Sequence, residues 1–389
     1  MNFEQKKNYS LVTAILPRRS TERVVDEVMS SGVTHCFTQS ARGSVLKDRW
    51  YQSFLPNLSP EQEIIRFLAP NEDTGHLMEQ IVMVGKLRQY GAGSIFSMEC
   101  LDVTTAGDFP LWAPGQYTFE SVSFDIRFRK DLNALVHVLE RDTAEGITRA
   151  AINAGAAGPT ISYVRGFGLR DRLGLLRITK KHDKEQVTVV VDNYDLDAVF
   201  QAMAESGHVD QPGRGILCQV PLSKGLVNLA SVFQAKKHSA SIQQIVRAID
   251  DLHGTTDWRA NQLLIHDPKA AEFAKSSRGS FTDLRAFNLL CRRKDVDPLL
   301  YAALDMGIPG ASVSNLRGIQ HDNEATTGGL RLNREFGCVT VMLAPERIPK
   351  LQQMWEEIIS KREMKETCFF CHKIAALRTF ASSTIAEKK

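Results

Sequence analysis

Short apolar runs typical of β-strands alternate with amphipathic helical patterns along this chain. Apolar residues at every second position predict strands, and apolar residues three and four positions apart predict helices. In the first third, residues 11–16 have a strand pattern, and residues 21–29 have a helical pattern that Gly32 ends. Residues 33–41 then have a second strand pattern, which runs into a polar loop.

The same local order occurs twice more, so the chain contains an internal repeat. The second copy begins with a strand at 134–139 and the third with a strand at 284–290. In both copies a helix that ends at a glycine follows, and then another strand. The second strand of each copy closes on an Arg-Gly pair, at Arg42-Gly43, Arg165-Gly166 and Arg317-Gly318.

Each copy continues after its polar loop with a strand, a helix and a last strand. These elements are predicted at 63–68, 73–90 and 94–103, then at 186–191, 195–206 and 215–222, then at 338–343, 346–361 and 368–377. The resulting βαββαβ order is a ferredoxin-like unit, in which two helices cover one face of a sheet. The sequence therefore predicts an α+β chain of three such domains, at 9–104, 132–223 and 283–380.

The remaining stretches are predicted to connect the domains. Residues 105–131 have a loop composition followed by an alternating run at 122–128, which predicts one extra strand. Residues 224–282 contain an amphipathic helical pattern at 241–252 and are predicted to be a helical linker. Residues 381–389 are predicted to be a frayed tail.

Charge and cysteine content narrow the function. The net charge is +3, from 48 basic and 45 acidic side chains, and this balance argues against nucleic-acid binding, which needs a dense basic surface. The chain has no apolar run long enough to span a membrane, and its N-terminus has no signal-peptide pattern. Seven cysteines, an odd number, indicate reduced thiols. We therefore expect a cytoplasmic protein.

The βαββαβ order, with a long loop after the second strand and a glycine-rich turn before the fourth, resembles the PII signalling superfamily. The stretch Arg165-Gly166-Phe167-Gly168 is similar to the start of the PII T-loop. The stretch Gln211-Pro212-Gly213-Arg214-Gly215-Ile216-Leu217 is similar to the phosphate-facing B-loop of that family. Tyr90-Gly91-Ala92-Gly93-Ser94-Ile95-Phe96 resembles the same loop, with Ser94 in place of the family lysine, whereas residues 365–370 have no glycine.

The resemblance implies an assembly and a ligand. PII proteins are trimers with ligand clefts between neighbouring subunits, so three PII-like domains in one chain are expected to form an intramolecular pseudo-trimer and a monomeric protein. The expected ligand is a small anionic metabolite, an adenine nucleotide such as ATP, ADP or AMP, bound in the clefts between the domains. The long loops at 43–60, 166–184 and 318–335 are expected to contact a protein target.

The glycine turns and the arginines are the candidate ligand-binding residues. Glycine lets backbone N–H groups converge on a phosphate, and arginine offers a planar fork of donors. The same glycines can instead be ordinary helix-to-strand turns, and the repeated arginines can be salt bridges at the base of each loop. The candidates are Arg165, Gly166, Gly168, Gly213, Arg214, Gly215, Arg42, Gly43, Gly91, Gly93 and Ser94.

Two other functions stay open. One is an enzyme that evolved a single active cleft on this scaffold, with acid–base candidates on the loops: His182, Asp183, Asp171, His321, Asp322 and Glu324. The other is a metal-binding protein related to CutA, using His35 beside Cys36 or the run Cys368-Phe369-Phe370-Cys371-His372. On a strand, Cys368 and Cys371 face opposite sides, which is a poor geometry for chelation by both thiols.

Overall fold

The chain was analysed as a computed structural model that describes residues 1–44, 61–89, 91–107, 109–113, 126–168, 182–228, 248–250, 252–255, 280–321 and 331–380. Three segments, 9–106, 132–228 and 284–379, each have the order βαββαβ followed by a short fifth strand. We call them segments 1, 2 and 3. A strand, β1 (Phe3–Lys6), precedes segment 1.

The bounds of the elements are as follows. Segment 1 contains β2 (Tyr9–Pro17), α1 (Thr21–Ser30), β3 (His35–Gly43), β4 (Glu61–Pro70), α2 (Asn71–Val84), β5 (Gly93–Glu99) and β6 (Asp102–Ala106). Segment 2 contains β7 (Leu132–Glu140), α3 (Ala144–Asn153), β8 (Ala157–Gly168), β9 (Asp183–Asp192), α4 (Leu196–Gly207), β10 (Ile216–Pro221) and β11 (Lys224–Asn228). Segment 3 contains β12 (Leu284–Arg292), α5 (Val296–Asp305), β13 (Gly310–His321), β14 (Arg331–Leu343), α6 (Ile348–Lys361), β15 (Thr367–Ile374) and β16 (Ala376–Thr379).

All strand pairs are antiparallel, and the order within each segment is the same. The first strand lies between the third and the fourth, and the third lies between the first and the second, as in β5-β2-β4-β3. The registers also correspond, since Ile15 lies opposite Ile64, Val138 opposite Gln186, and Leu290 opposite Cys338. Positions in the three segments can therefore be compared one by one.

The prediction of three ferredoxin-like domains forming a pseudo-trimer is wrong, because the ladders continue across the segment boundaries into one 16-stranded sheet. The second strands β3, β8 and β13 each pair with the other two. The fifth strands also cross, because β6 pairs with β15, β11 with β5, and β16 with β10. The segments are therefore not separate domains. The prediction failed because the periodicity of the sequence indicates where strands lie but not which distant strands they pair with.

The sheet has helices on its outer face and a shared core on its inner face. Each helix pair packs on its own segment, as when Val24, Val25 and Val28 of α1 are buried against the outer face. The apolar stripe at helical spacing accounts for this burial. The inner face forms a fourth apolar core that draws residues from all three segments, including Leu11, Ala134 and Ala286.

The connecting stretches differ from the predictions where they are described. Residues 126–128, the described end of the predicted strand at 122–128, are not in a strand. The stretch predicted as a helical linker begins with strand β11. Of the predicted helix at 241–252, residues 248–250 and 252 are helical. No helix in the described ranges is both long and apolar enough to cross a membrane.

Candidate functional site

The predicted glycine turns have a packing role. Gly93 and Gly215 occupy equivalent positions, Gly93 as the first residue of β5 and Gly215 directly before β10, and both have positive φ. A Cβ at Gly93 would collide with the carbonyl oxygen of Ile15, and one at Gly215 with that of Val138. The close approach to the first strand therefore requires glycine, as expected for a helix-to-strand turn.

The first-segment turn has two further features. The N–H group of Gly91 donates to the carbonyl of Asn228 at 2.7 Å, so one backbone donor of the predicted phosphate cradle is already used. The Ser94 hydroxyl is buried and has no hydrogen-bond partner. Because Gly93 and Ser94 are buried and Gly91 is exposed, only the start of this turn faces solvent.

In segment 3 the corresponding turn holds a carboxylate of the protein itself. Glu366 forms ion pairs with Arg292 and, at 2.7 Å, with Arg334, and it accepts a hydrogen bond from Gln320 at 3.1 Å. Burial alone would raise the pKa of Glu366, but the hydrogen bonds from Gln320 and Arg292 and the two positive charges hold it below its usual value. This turn is therefore closed to an external anion.

Two of the three Arg-Gly arginines bridge segments through buried carboxylates. Arg42 of segment 1 lies 3.1 Å from Glu185 of segment 2, and Arg317 of segment 3 lies 3.3 Å from Glu63 of segment 1. Glu185 also accepts a hydrogen bond from the N–H of Ala144, at the start of α3. Arg42 and Arg317 therefore form salt bridges between segments, which is the alternative to ligand binding that the sequence left open.

Arg165 differs because segment 3 has no matching carboxylate. Gly337 stands where the other segments have Glu63 and Glu185, two positions along the ladder from the arginine. The side chain of Val296 fills the space beside Gly337. Arg165 instead lies 3.2 Å from Asp297, and its Nε is buried without a hydrogen-bond partner.

The other second-segment candidates lie near one another at the surface. The aliphatic stem of Lys184 covers Gly166, and its ammonium lies 3.9 Å from Glu140. Glu140 in turn lies 4.0 Å from Arg214, which follows Gly213 in the turn. Gly168 lies opposite Gly310 of segment 3, and Gly43 opposite Thr160 of segment 2.

An outer groove of about 620 Å³ lies beside the first-segment turn. Its cations are Arg19, Arg23 and Lys86, and Gly91 lies at its edge. Among the residues that the structure describes, none of these cations has a carboxylate within 4.0 Å, although Glu22 and Asp26 also line the groove. The sequence pointed to Gly91 but not to Arg19 or Arg23; their place at the start of α1, after Pro17, is the available signal.

A second cavity, of about 160 Å³, lies within the inner core between the three segments. Arg66 of β4, Thr188 of β9 and Thr340 of β14 line it from equivalent positions. Arg66 Nη1 donates to the side-chain oxygen of Gln39 at 2.8 Å. Burial lowers the pKa of the Arg66 guanidinium. Arg66 was not predicted from the sequence, where its signal is a lone charge between apolar residues of a strand.

The buried histidines and cysteines are poor catalytic groups. Burial lowers the pKa of His35, His137 and His372 to about 4, so the rings are neutral at neutral pH. Burial raises the pKa of Cys338 and Cys371 to about 11, which keeps both thiols protonated.

The metal candidates are dispersed. Cys368 lies in the inner core and Cys371 in the core under α5 and α6, which confirms that they face opposite sides of β15. His35 is held by the carbonyl of Pro110 at 2.7 Å from its Nδ1 and stacks on Phe109. Within the described ranges, no group of three His, Cys, Asp or Glu side chains could hold a metal ion.

The loop-borne acid–base candidates are only partly described. His182 stacks on Phe167 with ring centroids 4.5 Å apart, and Asp183 lies 3.6 Å from Arg141. Asp171, Asp322, Glu324 and the side chain of His321 lie outside the described residues. Most of the loops 43–60, 166–184 and 318–335 lies outside them as well.

Comparison with known proteins does not assign this chain to a family. No protein-family model and no curated protein matches the chain. Among solved structures, an aspartate kinase from Synechocystis matches with 9% identity and a TM-score of 0.20, over 96% of this chain and 44% of the kinase. An alkyldihydroxyacetonephosphate synthase matches with 9% identity and a TM-score of 0.16, over 84% of this chain and 50% of the synthase. The chain thus spans half or less of either protein, and similarity at this level carries no functional argument.

Proposed function

We propose that this chain is a regulatory protein that binds a small anionic metabolite, an adenine nucleotide such as ATP, ADP or AMP, as the PII signalling proteins its motifs resemble do. The binding site is the outer groove beside Gly91. The observation that carries the proposal is the set of three cations, Arg19, Arg23 and Lys86, without carboxylate partners in the described part of the chain.

The size and chemistry of the groove support this ligand. Small-molecule sites usually have volumes of about 300–1,000 Å³, and this groove has about 620 Å³. The guanidinium forks of Arg19 and Arg23 favour phosphate oxygens.

The Arg-Gly pairs are a weaker choice of site. Arg42 and Arg317 already bind buried carboxylates of neighbouring segments, and Glu366 fills the third turn. Arg165 retains an unpaired Nε, but its guanidinium is shared with Asp297. The outer groove is where cations remain available to an external anion.

The buried histidines and cysteines give no support for a catalytic role. A general acid or base works best when its pKa lies near the working pH. The histidines His35, His137 and His372 have pKa values of about 4, and burial raises the pKa of the thiols of Cys36 and Cys338. We propose that, in the metabolite-bound protein, the long loops contact a protein target.

Calorimetric titration of the full chain tests the groove. ATP, ADP and AMP should bind and adenosine should bind at least about tenfold more weakly, because each charge-assisted contact to phosphate contributes about 1.5–3 kcal/mol. Arg23→Glu should weaken ATP binding by a similar factor, and raised salt should weaken it further.

The matched control is Arg149→Glu, which reverses an exposed arginine on α3 of segment 2 that does not line the groove. It should leave ATP affinity unchanged. Equal affinity for ATP and adenosine, or equal loss in both variants, would contradict the proposal.

A further inference from the structure

We infer that the inner cavity is a second binding site, which takes a compact organic carboxylate with an apolar body. The site is built around Arg66, and it is separate from the outer groove. It does not depend on nucleotide binding, because the two sites share no lining residue.

Arg66 carries a positive charge that no carboxylate among the described residues pairs with. Arg66 is half-buried and lines the cavity, and desolvation lowers the pKa of its guanidinium. A guanidinium has five N–H donors and stays charged in proteins. One donor binds Gln39, and no carboxylate of the described chain lies within 4.0 Å of Arg66. A buried charge without a partner is destabilising, so an anion in the cavity would complete the site.

Hydrogen bonds hold the Arg66 side chain in place. The Gln39 side-chain oxygen accepts from Arg66 at 2.8 Å, while the Gln39 amide donates to the carbonyl of Tyr163 at 3.1 Å. The guanidinium is thereby fixed through segment 2 even though it belongs to segment 1. A group held by supporting hydrogen bonds is preorganised for a ligand.

None of the neighbouring groups that line the cavity is the missing counter-ion of Arg66. Burial raises the pKa of Cys338 to about 11 despite the nearby Arg66 charge, so its thiol is neutral. His35 and His372 also line the cavity, and their pKa values of about 4 make them neutral as well. The hydroxyls of Thr188 and Thr340 can donate or accept but carry no charge.

The shape and composition of the cavity define the ligand. Its volume is about 160 Å³, and a cavity of about 150 Å³ can hold benzene. Apolar side chains such as Leu11, Leu68 and Met342 make up much of the lining, and they favour a hydrocarbon body over a fully hydrated ion. Arg66 offers the bidentate fork that a carboxylate prefers. Benzoate and hexanoate are therefore suitable probes.

Thermal-shift and calorimetric titrations of the full chain test the site. Benzoate and hexanoate should bind and raise the melting temperature, whereas the neutral benzamide and hexanol should bind at least about tenfold more weakly, since a charge-assisted contact contributes more than a neutral one. Arg66→Met keeps the volume and removes the charge, so it should abolish the preference for carboxylates. Arg23→Glu should leave benzoate binding unchanged, which separates this site from the groove.

Three outcomes would overturn the inference. Benzamide binding as tightly as benzoate would show that the charge is not recognised, and chloride or phosphate binding as tightly as benzoate would exclude an organic ligand. Retention of the carboxylate preference in Arg66→Met would show that benzoate binds elsewhere. If Arg66→Met does not fold, native mass spectrometry of the wild-type chain decides: a single bound benzoate with no bound benzamide supports the site, and no bound benzoate contradicts it.

Discussion

The Arg317 guanidinium lies 3.3 Å from the Glu63 carboxylate, although the two residues belong to opposite ends of the chain. Arg42 and Glu185 repeat the arrangement between segments 1 and 2. The third member is missing, since Gly337 provides no carboxylate for Arg165. We call these contacts between neighbouring segments junctions. Two junctions contain an arginine–carboxylate pair and the third does not, so variants at one junction can be compared with variants at another.

Removing the Glu185 carboxylate should destabilise the protein. Its side chain is only 2% exposed and binds both Arg42 and the N–H of Ala144, so Glu185→Ala leaves both unpaired. Breaking a buried pair typically costs about 3–5 kcal/mol, and the partial exposure of Arg42 places the expected loss near the lower end. Urea unfolding should register this loss.

The control is the exposed pair of Arg18 and Glu61, which are 3.4 Å apart. Glu61→Ala should change the free energy of unfolding by less than about 1 kcal/mol. Equal losses in Glu61→Ala and Glu185→Ala would argue against a structural role for the buried pair.

Rebuilding the third junction requires two substitutions. A side chain at Gly337 would collide with Val296, so Gly337→Glu alone should destabilise the protein by about 1–3 kcal/mol. Val296→Ala introduces the alanine that segment 2 has at the equivalent Ala144. The double variant should lose less stability than the sum of the two single variants, because the introduced carboxylate can then reach Arg165. A double-mutant cycle by urea unfolding measures the coupling, and strict additivity would contradict the explanation.

Two glycines from the predicted binding set should respond differently to substitution. Gly215 has a φ of +100° and lies against the carbonyl of Val138, so Gly215→Ala should destabilise by at least about 1–3 kcal/mol. No described residue lies within 4 Å of the Cβ position at Gly168, so Gly168→Ala should change stability by no more than about 0.5 kcal/mol. Thermal unfolding distinguishes these values, and an unaffected Gly215→Ala would contradict the packing role.

Acid should destabilise the fold through its buried histidines. Burial lowers the pKa of His137 from 6.5 to about 4 in the folded state, so the unfolded chain binds the proton more readily between these values. The free energy of unfolding therefore falls as pH drops from 6.5 toward 4, by up to about 1.4 kcal/mol per pH unit for each such histidine. His137→Met should reduce this slope over that pH range, and an unchanged slope would contradict its neutral burial.

Removing strand β16 should expose an edge of the sheet. A chain shortened after Ile374 loses the ladder from Ala376–Thr379 to β10. An exposed edge offers unpaired backbone groups to another chain, so this variant should self-associate. Light scattering should give the mass of one chain for the full-length protein and larger species for the shortened one. A monomeric shortened chain would show that β10 is protected in another way.

The helices and strands of the βαββαβ order could be predicted from the sequence, because the hydrophobic periodicity that indicates them is a local feature. The helix predicted at 21–29 is α1 (Thr21–Ser30), since Val24, Val25 and Val28 define one face of it. The fifth strands could not be found in this way. Lys224 pairs with Ser97, a residue of another segment, and a strand of five residues has too short a pattern to predict such a partner.

Among the candidate site residues, too, those with a local sequence signature were predicted and those that depend on tertiary contacts were not. Gly91 was identified because a glycine turn has a local signature, and it lies at the edge of the outer groove. Arg23 and Arg66 were missed because an arginine becomes conspicuous only when it lacks a carboxylate neighbour. That condition depends on tertiary structure, and no motif in the sequence records it.

The crossed fifth strands also determine the order in which the protein can be completed during synthesis. Strand β6 (Asp102–Ala106) leaves the ribosome with segment 1, but its partner β15 (Thr367–Ile374) belongs to segment 3. Strand β10 of segment 2 also lacks its partner β16 until segment 3 has been synthesised. Domains generally fold as they emerge, and unpaired edges invite aggregation. The nascent chain therefore carries open sheet edges until segment 3 has emerged, and chaperone protection matters most during that interval.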